Sequence, residues 1–124
     1  MNNAPQEKST MSLEPGVAVL LAYLLSLVGG IVIFMMEKEN KFVRFHAMQS
    51  IILNIVALIT FVILSVLMAI VTALTAGIGG ICGIVLFPLL GVAFAVFALI
   101  AMIKGYQGEM YKIPLIGDFA EKYI

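Results

Sequence analysis

The chain offers few side chains that could do chemistry, and their spacing does not bring them together. His46 is the only histidine and Cys82 the only cysteine. A metal site would therefore need carboxylates as further ligands, and no stretch of the sequence has a metal-binding spacing. A Ser-His-acid triad has no nucleophile motif to support it. We predict that the protein is not an enzyme and that it uses no metal or other cofactor.

A glycine-rich segment, residues 75–83 (TAGIGGICG), is the most conspicuous local pattern. It matches neither the G-x-G-x-x-G fingerprint nor a phosphate-binding loop, and no lysine follows it. Such a segment is typical of a turn between two helices. A flexible gate is the alternative.

Three polar residues at the start of an apolar stretch have two interpretations each. His46 is either a proton-sensitive switch, since imidazole titrates near neutral pH, or an interfacial histidine held by its neighbours. Gln49 and Asn54 are costly to place against lipid, so both are expected to face protein. They serve either hydrogen bonds between helices or a substrate pathway.

The amino-acid composition indicates whether the chain folds in water or in a membrane. Hydrophobic residues make up 63% of the chain and charged residues 11%. A soluble domain averages about 45–50% apolar and about 25% charged residues. The seven basic and seven acidic side chains give a net charge of zero, so nucleic acid is not an expected partner. We predict an all-α integral membrane protein whose first partner is the lipid bilayer.

Hydropathy predicts three transmembrane helices after a disordered lead over residues 1–15. The first apolar run covers 16–36, long enough to cross a hydrocarbon core about 30 Å thick. Residues 45–103 contain no Asp, Glu, Lys or Arg, which is far too long for one crossing of about 20 residues. Breaking this stretch at the glycine-rich segment gives the second and third spans, 47–72 and 84–104.

Local signals refine the ends of the second and third helices. Asn40 is a suitable N-cap for the second helix. Pro88 is tolerated in the first turn of the third helix, but an earlier helix start would place it in the interior, where it would kink the helix. We predict that residues 16–124 form a single membrane domain.

Basic residues in the flanks predict the orientation. With three spans, the amino terminus and the glycine-rich segment share one side, which carries Lys8 alone. The other side carries six basic residues: Lys38, Lys41, Arg44, Lys104, Lys112 and Lys122. For a protein of the cell membrane, the positive-inside rule then predicts an amino terminus outside and a carboxyl terminus in the cytoplasm.

The carboxyl-terminal tail, residues 105–124, is predicted to be an interfacial amphipathic segment. After Pro114, the apolar residues Leu115, Phe119 and Tyr123 recur every four positions, which is typical of a short helix lying on the membrane surface. A stripe of small residues that leads into the tail is a candidate helix-packing seam, within the chain or between copies: Gly91, Ala95, Ala98 and Gly105.

Two segments, 42–50 (FVRFHAMQS) and 105–114 (GYQGEMYKIP), resemble a family of small prokaryotic membrane proteins of unknown function. That family is described as similar to the Tic-twenty component of the chloroplast protein import machinery. The resemblance covers roughly residues 16–124. It implies a helical membrane protein with no established enzyme activity and with a link to protein translocation, in a prokaryotic plasma membrane.

With three spans, both segments fall on the inner face and form a candidate interaction surface for a membrane protein partner: Lys41, Phe42, Arg44, His46, Gln49, Tyr106, Glu109 and Tyr111. An Arg44–Glu109 ion pair would clamp the tail to the second helix. The alternative is that these groups only mark the headgroup zone. The function favoured is a non-catalytic protein that assembles with partners, and the alternative is a homo-oligomeric channel or small-solute transporter.

Overall fold

The computed structural model describes residues 13–124. They form five helices in the order α1 (Pro15–Leu24), α2 (Ser26–Met36), α3 (Lys41–Leu74), α4 (Gly80–Tyr106) and α5 (Ile116–Lys122), and these residues contain no strand. The prediction of an all-helical protein is confirmed. Of the predicted disordered lead, residues 1–12 lie outside the described residues and Pro15 begins α1.

Two helices, α3 and α4, are long and apolar enough to cross a membrane. At about 1.5 Å per residue they measure about 51 Å and about 40 Å, and they contain the predicted segments 47–72 and 84–104. The Asn40 side chain accepts hydrogen bonds from the N–H groups of Phe42 and Val43 at 3.0 and 3.2 Å. The predicted N-cap of α3 is thereby confirmed.

The connection between the two long helices lies at residues 75–79, where Ala76 and Gly77 have φ angles of 56° and 95°. The N–H of Gly77 donates to the carbonyl of Thr72 at 2.8 Å, a bond that closes the end of α3. Gly80 and Gly83 already belong to α4, so Pro88 lies inside that helix rather than in its first turn. The glycine-rich segment is therefore a turn over its first half and a helix over its second.

The first apolar run is not the single helix that hydropathy predicts. A break at Leu25–Ser26, where Ser26 has a φ of 59°, divides it into α1 and α2. A Cβ placed on Gly29 would stand 2.6 Å from the carbonyl oxygen of Leu21, although eight residues of straight helix rise about 12 Å. The chain therefore folds back on itself, and α1 and α2 form a helical hairpin.

Both open ends of this hairpin lie at the same end of the molecule. A Cβ on Gly16, in the first turn of α1, would stand 2.8 Å from the carbonyl oxygen of Tyr106 at the end of α4. Beyond the other end, the carbonyl of Glu37 accepts from the guanidinium of Arg44, near the start of α3, at 2.7 Å. At about 15–16 Å each, α1 and α2 reach about half of a hydrocarbon core. The structure therefore does not contain the single helix expected for residues 16–36, and the prediction of three spans is not confirmed.

The core lies at one end of the long helices. All eight buried residues of α3 fall between Phe42 and Leu53, and they pack against α1, α2, the end of α4 and the tail. We call residues 13–53 and 98–124 the head, and residues 54–97 the stem. In the stem, the ring of Phe61 lies between Phe87 and Phe94 at centroid distances of 6.1 and 6.3 Å.

The stem is apolar and open on both sides. Its helices leave two lateral grooves of about 470 and 700 Å³. Aliphatic side chains line most of the first, whereas small, hydroxyl-bearing and apolar residues line the second. The hydroxyls of Thr60 and Ser65 donate to the carbonyls of Val56 and Phe61 within their own helix, at 2.7 and 2.8 Å. These polar groups are therefore satisfied without a partner helix, as a lipid-facing position requires.

Candidate functional site

A network of buried polar side chains holds the head together. Tyr23 of α1 and His46, Gln49 and Ser50 of α3 are all less than 7% exposed. Burying an unpaired polar group costs free energy, so each of these groups is expected to have a hydrogen-bond partner. The direction of each bond then follows from which atoms can donate and which can accept.

The donor and acceptor of each hydrogen bond in the network can be assigned from His46 onward. Its Nε2 lies 3.0 Å from the carbonyl oxygen of Glu109, and its Nδ1 lies 2.9 Å from the hydroxyl of Tyr23. Because a carbonyl oxygen only accepts, Nε2 carries the proton, and Nδ1 of the neutral ring accepts from Tyr23. The Tyr23 hydroxyl in turn accepts from Nε2 of Gln49 at 2.6 Å. Each donor therefore faces an acceptor when the imidazole is neutral.

The carboxamide of Gln49 also binds the tail. Its Nε2 donates to the carbonyl of Tyr111 at 3.0 Å, and its Oε1 accepts from the N–H of Ile113 at 2.9 Å. An amide side chain offers one acceptor and two donors, and all three are used here. With the Glu109 carbonyl bound by His46, α3 holds main-chain groups of residues 109, 111 and 113. The tail is thus fastened through its backbone.

Ser50 holds the break between α1 and α2. Its hydroxyl lies 2.8 Å from the carbonyl oxygen of Ala22 and 3.3 Å from that of Ser26. Carbonyls near such a break lose partners inside their own helices and must find others. A Cβ on Gly30 would stand 3.0 Å from the Ala47 carbonyl, so glycine permits the close approach of α2 to α3. The sequence alone gives no sign of this role of Ser50.

Arg44 fastens the other end of the hairpin. Its Nη1 donates to the carbonyls of Phe34 and Glu37 at 3.0 and 2.7 Å, and its guanidinium lies 4.0 Å from the centroid of the Phe34 ring. The side chain of Glu109 instead lies 3.6 Å from Lys104. The hypothesis of an Arg44–Glu109 clamp is therefore wrong. Backbone carbonyls at the end of α2 bind the guanidinium, and Glu109 contributes its main chain to the head.

The residues of the predicted interaction surface do come together, but several form the interior of the head. Phe42, His46 and Gln49 are buried, and the rings of Phe42 and His46 meet edge to face at 4.9 Å. Arg44 and Tyr111 are half-buried, whereas Lys41, Tyr106 and Glu109 are exposed. The buried members cannot meet a partner while the tail is bound.

The predicted packing seam likewise has some residues that pack inside the chain and others that do not. A Cβ on Gly105 would stand 2.4 Å from Cγ1 of Val19 and 3.3 Å from the His46 ring, so α1 and α3 approach α4 closely there. Ala98 is half-buried against the core. Ala95 is exposed, and a Cβ on Gly91 would meet only one atom of Phe61, at 3.9 Å. Only the half of the stripe within the head packs inside this chain.

The short helix α5 lies against α3 and keeps an apolar outer side. Gly117 and Ala120 are buried, and a Cβ on Gly117 would stand 2.9 Å from Oε1 of Gln49. The apolar residues predicted for the membrane side are exposed: Leu115, Phe119 and Tyr123. Near them Glu121 accepts a hydrogen bond from Lys112 at 2.8 Å, which raises the pKa of that lysine. The tail therefore packs against the protein with one side and exposes apolar residues on the other.

This architecture, with two long apolar helices and a polar core at one end, defines a small α-helical membrane protein. The chain belongs to the family described as the magnetosome magnetite crystal formation protein family, which matches residues 7–120. No solved structure matches the chain significantly.

Curated relatives are archaeal membrane proteins. A UPF0132 membrane protein of Methanocaldococcus jannaschii is 35% identical over 94% of both chains. A second protein of that name and organism is 37% identical over 91% of this chain and 72% of its own. A UPF0132 membrane protein of Archaeoglobus fulgidus is 34% identical over 90% of this chain and 97% of its own. These matches confirm a membrane protein, but they do not show the resemblance to Tic-twenty.

Proposed function

We propose that this is a non-catalytic membrane protein that crosses the bilayer twice and acts by assembling with other proteins of that membrane through its head. The supporting observation is the distribution of charge. Every charged side chain of residues 13–124 belongs to the head, whereas the stem and its turn carry none. A charge inside the hydrocarbon is costly, so the stem crosses the membrane and the head meets the headgroups at one surface.

The orientation we propose has the head on the cytoplasmic side. Six basic residues lie in the head, and no basic residue flanks the turn at the other end of the stem. The positive-inside rule favours the cytoplasm for the head, and hence for both described ends of the chain. The α1–α2 hairpin then enters the membrane from the cytoplasmic side and returns, with exposed apolar residues facing lipid: Leu24, Leu25, Val28 and Met35.

A non-catalytic role agrees with the saturation of the buried polar groups. Both nitrogens of His46 have partners, and the carboxamide of Gln49 uses all of its donors and acceptor. Catalysis by a general base requires a group within reach of a substrate proton. These side chains bind the protein's own helices and tail instead.

The family's description concerns magnetite crystal formation, and the curated relatives are described only as membrane proteins. Between residues 13 and 124, no group of three or more His, Cys, Asp or Glu side chains is placed to hold a metal ion. We therefore assign no iron site to this chain. What we carry over from the family is a role inside a membrane, and protein translocation forms no part of the proposal.

The test is the isolation of tagged full-length protein from native membranes in a mild detergent, followed by identification of stoichiometric companions by mass spectrometry. Gln49→Ala, which disrupts the head, is compared with Ser65→Ala, which changes only the stem. A companion that is retained in Ser65→Ala and lost in Gln49→Ala supports assembly through the head. Absence of any companion, together with solute flux in liposomes containing the purified protein alone, would favour the oligomeric channel or transporter.

A further inference from the structure

A cavity of about 200 Å³ lies where the head meets the stem, between the turn of the α1–α2 hairpin and the two long helices. Its wall includes the polar residues Tyr23 and Ser26 near that turn and Asn54 at the start of the stem, and every described residue that lines it is uncharged. The cavity is open on one side, where Ser26 and Ala95 are exposed. In the proposed two-crossing arrangement, this opening faces lipid.

Two polar groups in this wall have unused hydrogen-bonding capacity. Nδ2 of Asn54 donates to the carbonyl of Ser50 at 2.8 Å, which leaves Oδ1 as the acceptor of the same carboxamide. Within residues 13–124, neither this Oδ1 nor the hydroxyl of Ser26 has a hydrogen-bond partner. The Tyr23 hydroxyl, by contrast, already donates one bond and accepts another. An unpaired polar group costs free energy at membrane depth, so Asn54 and Ser26 favour an occupant that bonds to both.

The size and lining of the cavity indicate which class of molecule it fits. Its apolar wall includes one aromatic ring and three small side chains: Phe94, Ala57, Ala95 and Ala98. An engineered apolar cavity of about 150 Å³ in another protein binds benzene, so this cavity of about 200 Å³ has room for one ring with a small substituent. A hydroxyl group is a substituent that both donates to Oδ1 of Asn54 and accepts from Ser26. Because a charge inside the hydrocarbon is costly, the ligand is neutral.

We propose that this cavity is a binding site for a small neutral ring compound that carries a hydroxyl group, of the phenol class, which enters from the lipid phase. The hydroxyl bonds to Asn54 and Ser26, and the ring packs against Phe94. Ala95, the exposed member of the predicted packing seam, then has a role, because a small side chain there keeps the cavity open. The site is separate from assembly through the head and shares with that proposal only the placement of the hairpin and stem in the membrane.

The experiment is a titration of the purified full-length protein in detergent micelles with phenol and, separately, with toluene, which has the same ring but no hydroxyl group. Isotope-labelled alanine methyl groups, observed by NMR, report binding at Ala57, Ala95 and Ala98 in the wall. We expect saturable shifts of these methyl groups with phenol. Their absence, which would mean that water alone satisfies Asn54, would overturn the proposal.

The hydrogen bond is tested with Asn54→Leu, which keeps the approximate shape of the side chain and removes the acceptor. Phenol should bind this variant roughly threefold to tenfold more weakly than wild type, whereas toluene should bind it no more weakly. Comparing the two proteins for each compound cancels the partition of that compound into the micelle. Unchanged phenol affinity, or an equal loss for both compounds, would overturn the proposal.

The position of the site is tested with two leucine substitutions on α4. Ala95→Leu fills the cavity, whereas Ala93→Leu adds the same side chain two positions away, where it lines a lateral groove of the stem. Only Ala95→Leu should abolish binding of phenol, and equal effects of the two variants would overturn the proposal. If Ala95→Leu loses its helical circular dichroism, the wild-type and Asn54→Leu titrations still decide. Companions isolated with the protein are a separate readout, so the proposed function stands if phenol does not bind.

Discussion

The carboxamide of Gln49 donates to the hydroxyl of Tyr23 at 2.6 Å, joining two helices whose residues are 26 positions apart in the chain. The same carboxamide holds Tyr111 and Ile113 of the tail. One side chain of α3 therefore connects α1, α3 and the tail, and the head depends on it more than on any of its exposed ion pairs.

Replacement of Gln49 by alanine is expected to destabilise the head. The Ile113 N–H and the Tyr111 carbonyl would lose their partners in a buried place, which should lower the free energy of unfolding by about 2–4 kcal/mol. Thermal unfolding in detergent, followed by circular dichroism, measures the loss. Ser65→Ala, which removes a lipid-facing hydroxyl bonded to its own helix, should change stability by less than about 0.5 kcal/mol. Equal melting temperatures for the two variants would contradict the network.

Arg44 and Glu109 are expected to act independently. Arg44→Ala removes both bonds to the end of α2 and the contact with the Phe34 ring, a loss of about 1.5–3 kcal/mol. Glu109→Ala removes an exposed side chain 3.6 Å from Lys104, a loss within about 0.5 kcal/mol. In the double mutant the two effects should add. A coupling energy well above the error of the melting experiment would indicate that Arg44 and Glu109 do interact, contrary to the structure.

Two glycines of one helix should respond in opposite ways to the same substitution. Gly105→Ala places a methyl group 2.4 Å from Cγ1 of Val19, and such overpacking costs about 1–3 kcal/mol. Gly91→Ala meets only Phe61 at 3.9 Å, and alanine favours a helix over glycine by about 1 kcal/mol in water. It should be neutral or stabilising. If Gly91→Ala proved the more damaging of the two in thermal melts, a contact between copies at that position would be indicated.

Labelling from the two sides of the membrane distinguishes the hairpin from a crossing helix. In a Cys82→Ser background, cysteines introduced at Glu14 and Lys122 should react with an impermeant maleimide from the same side. A cysteine introduced at Ile78, in the turn of the stem, should react from the other side. If the cysteine at position 14 instead reacted together with the one at position 78, α1 and α2 would form a single span, and the two-crossing arrangement would be rejected.

Much of the helical framework could be predicted because its causes are local. A long stretch without charge favours membrane helix, a glycine-rich segment favours a turn within it, and an asparagine before a helix is a suitable cap. The residues of the head were also found, since polar groups stand out against an apolar chain. Their arrangement as an interior, with the tail bound over them, could not be predicted from where they stand in the sequence.

The break at Ser26 and the partners of Arg44 escaped prediction for physical reasons. Hydropathy sums residue types over a window, so a crossing helix and a hairpin of the same composition score alike. At the break, the carbonyls of Ala22 and Ser26 lie within hydrogen-bonding distance of the hydroxyl of Ser50, which is distant in sequence. Arg44 likewise binds carbonyls, which every residue possesses. Residue types cannot show which main-chain carbonyl will accept a hydrogen bond. Charge complementarity between side chains therefore predicted Glu109 as the partner of Arg44.

The fold-back at Ser26 also bears on how the protein reaches its place in the membrane. If the hairpin enters and leaves on one side, only the short turn over residues 75–79 has to be carried through the hydrocarbon, and that turn contains no charged side chain. The charged groups of the head remain on the side where translation delivers them. A single crossing by residues 16–36 would instead have required Glu14 to be moved to the far surface. In the proposed two-crossing arrangement, insertion is thus a transfer of almost purely apolar segments.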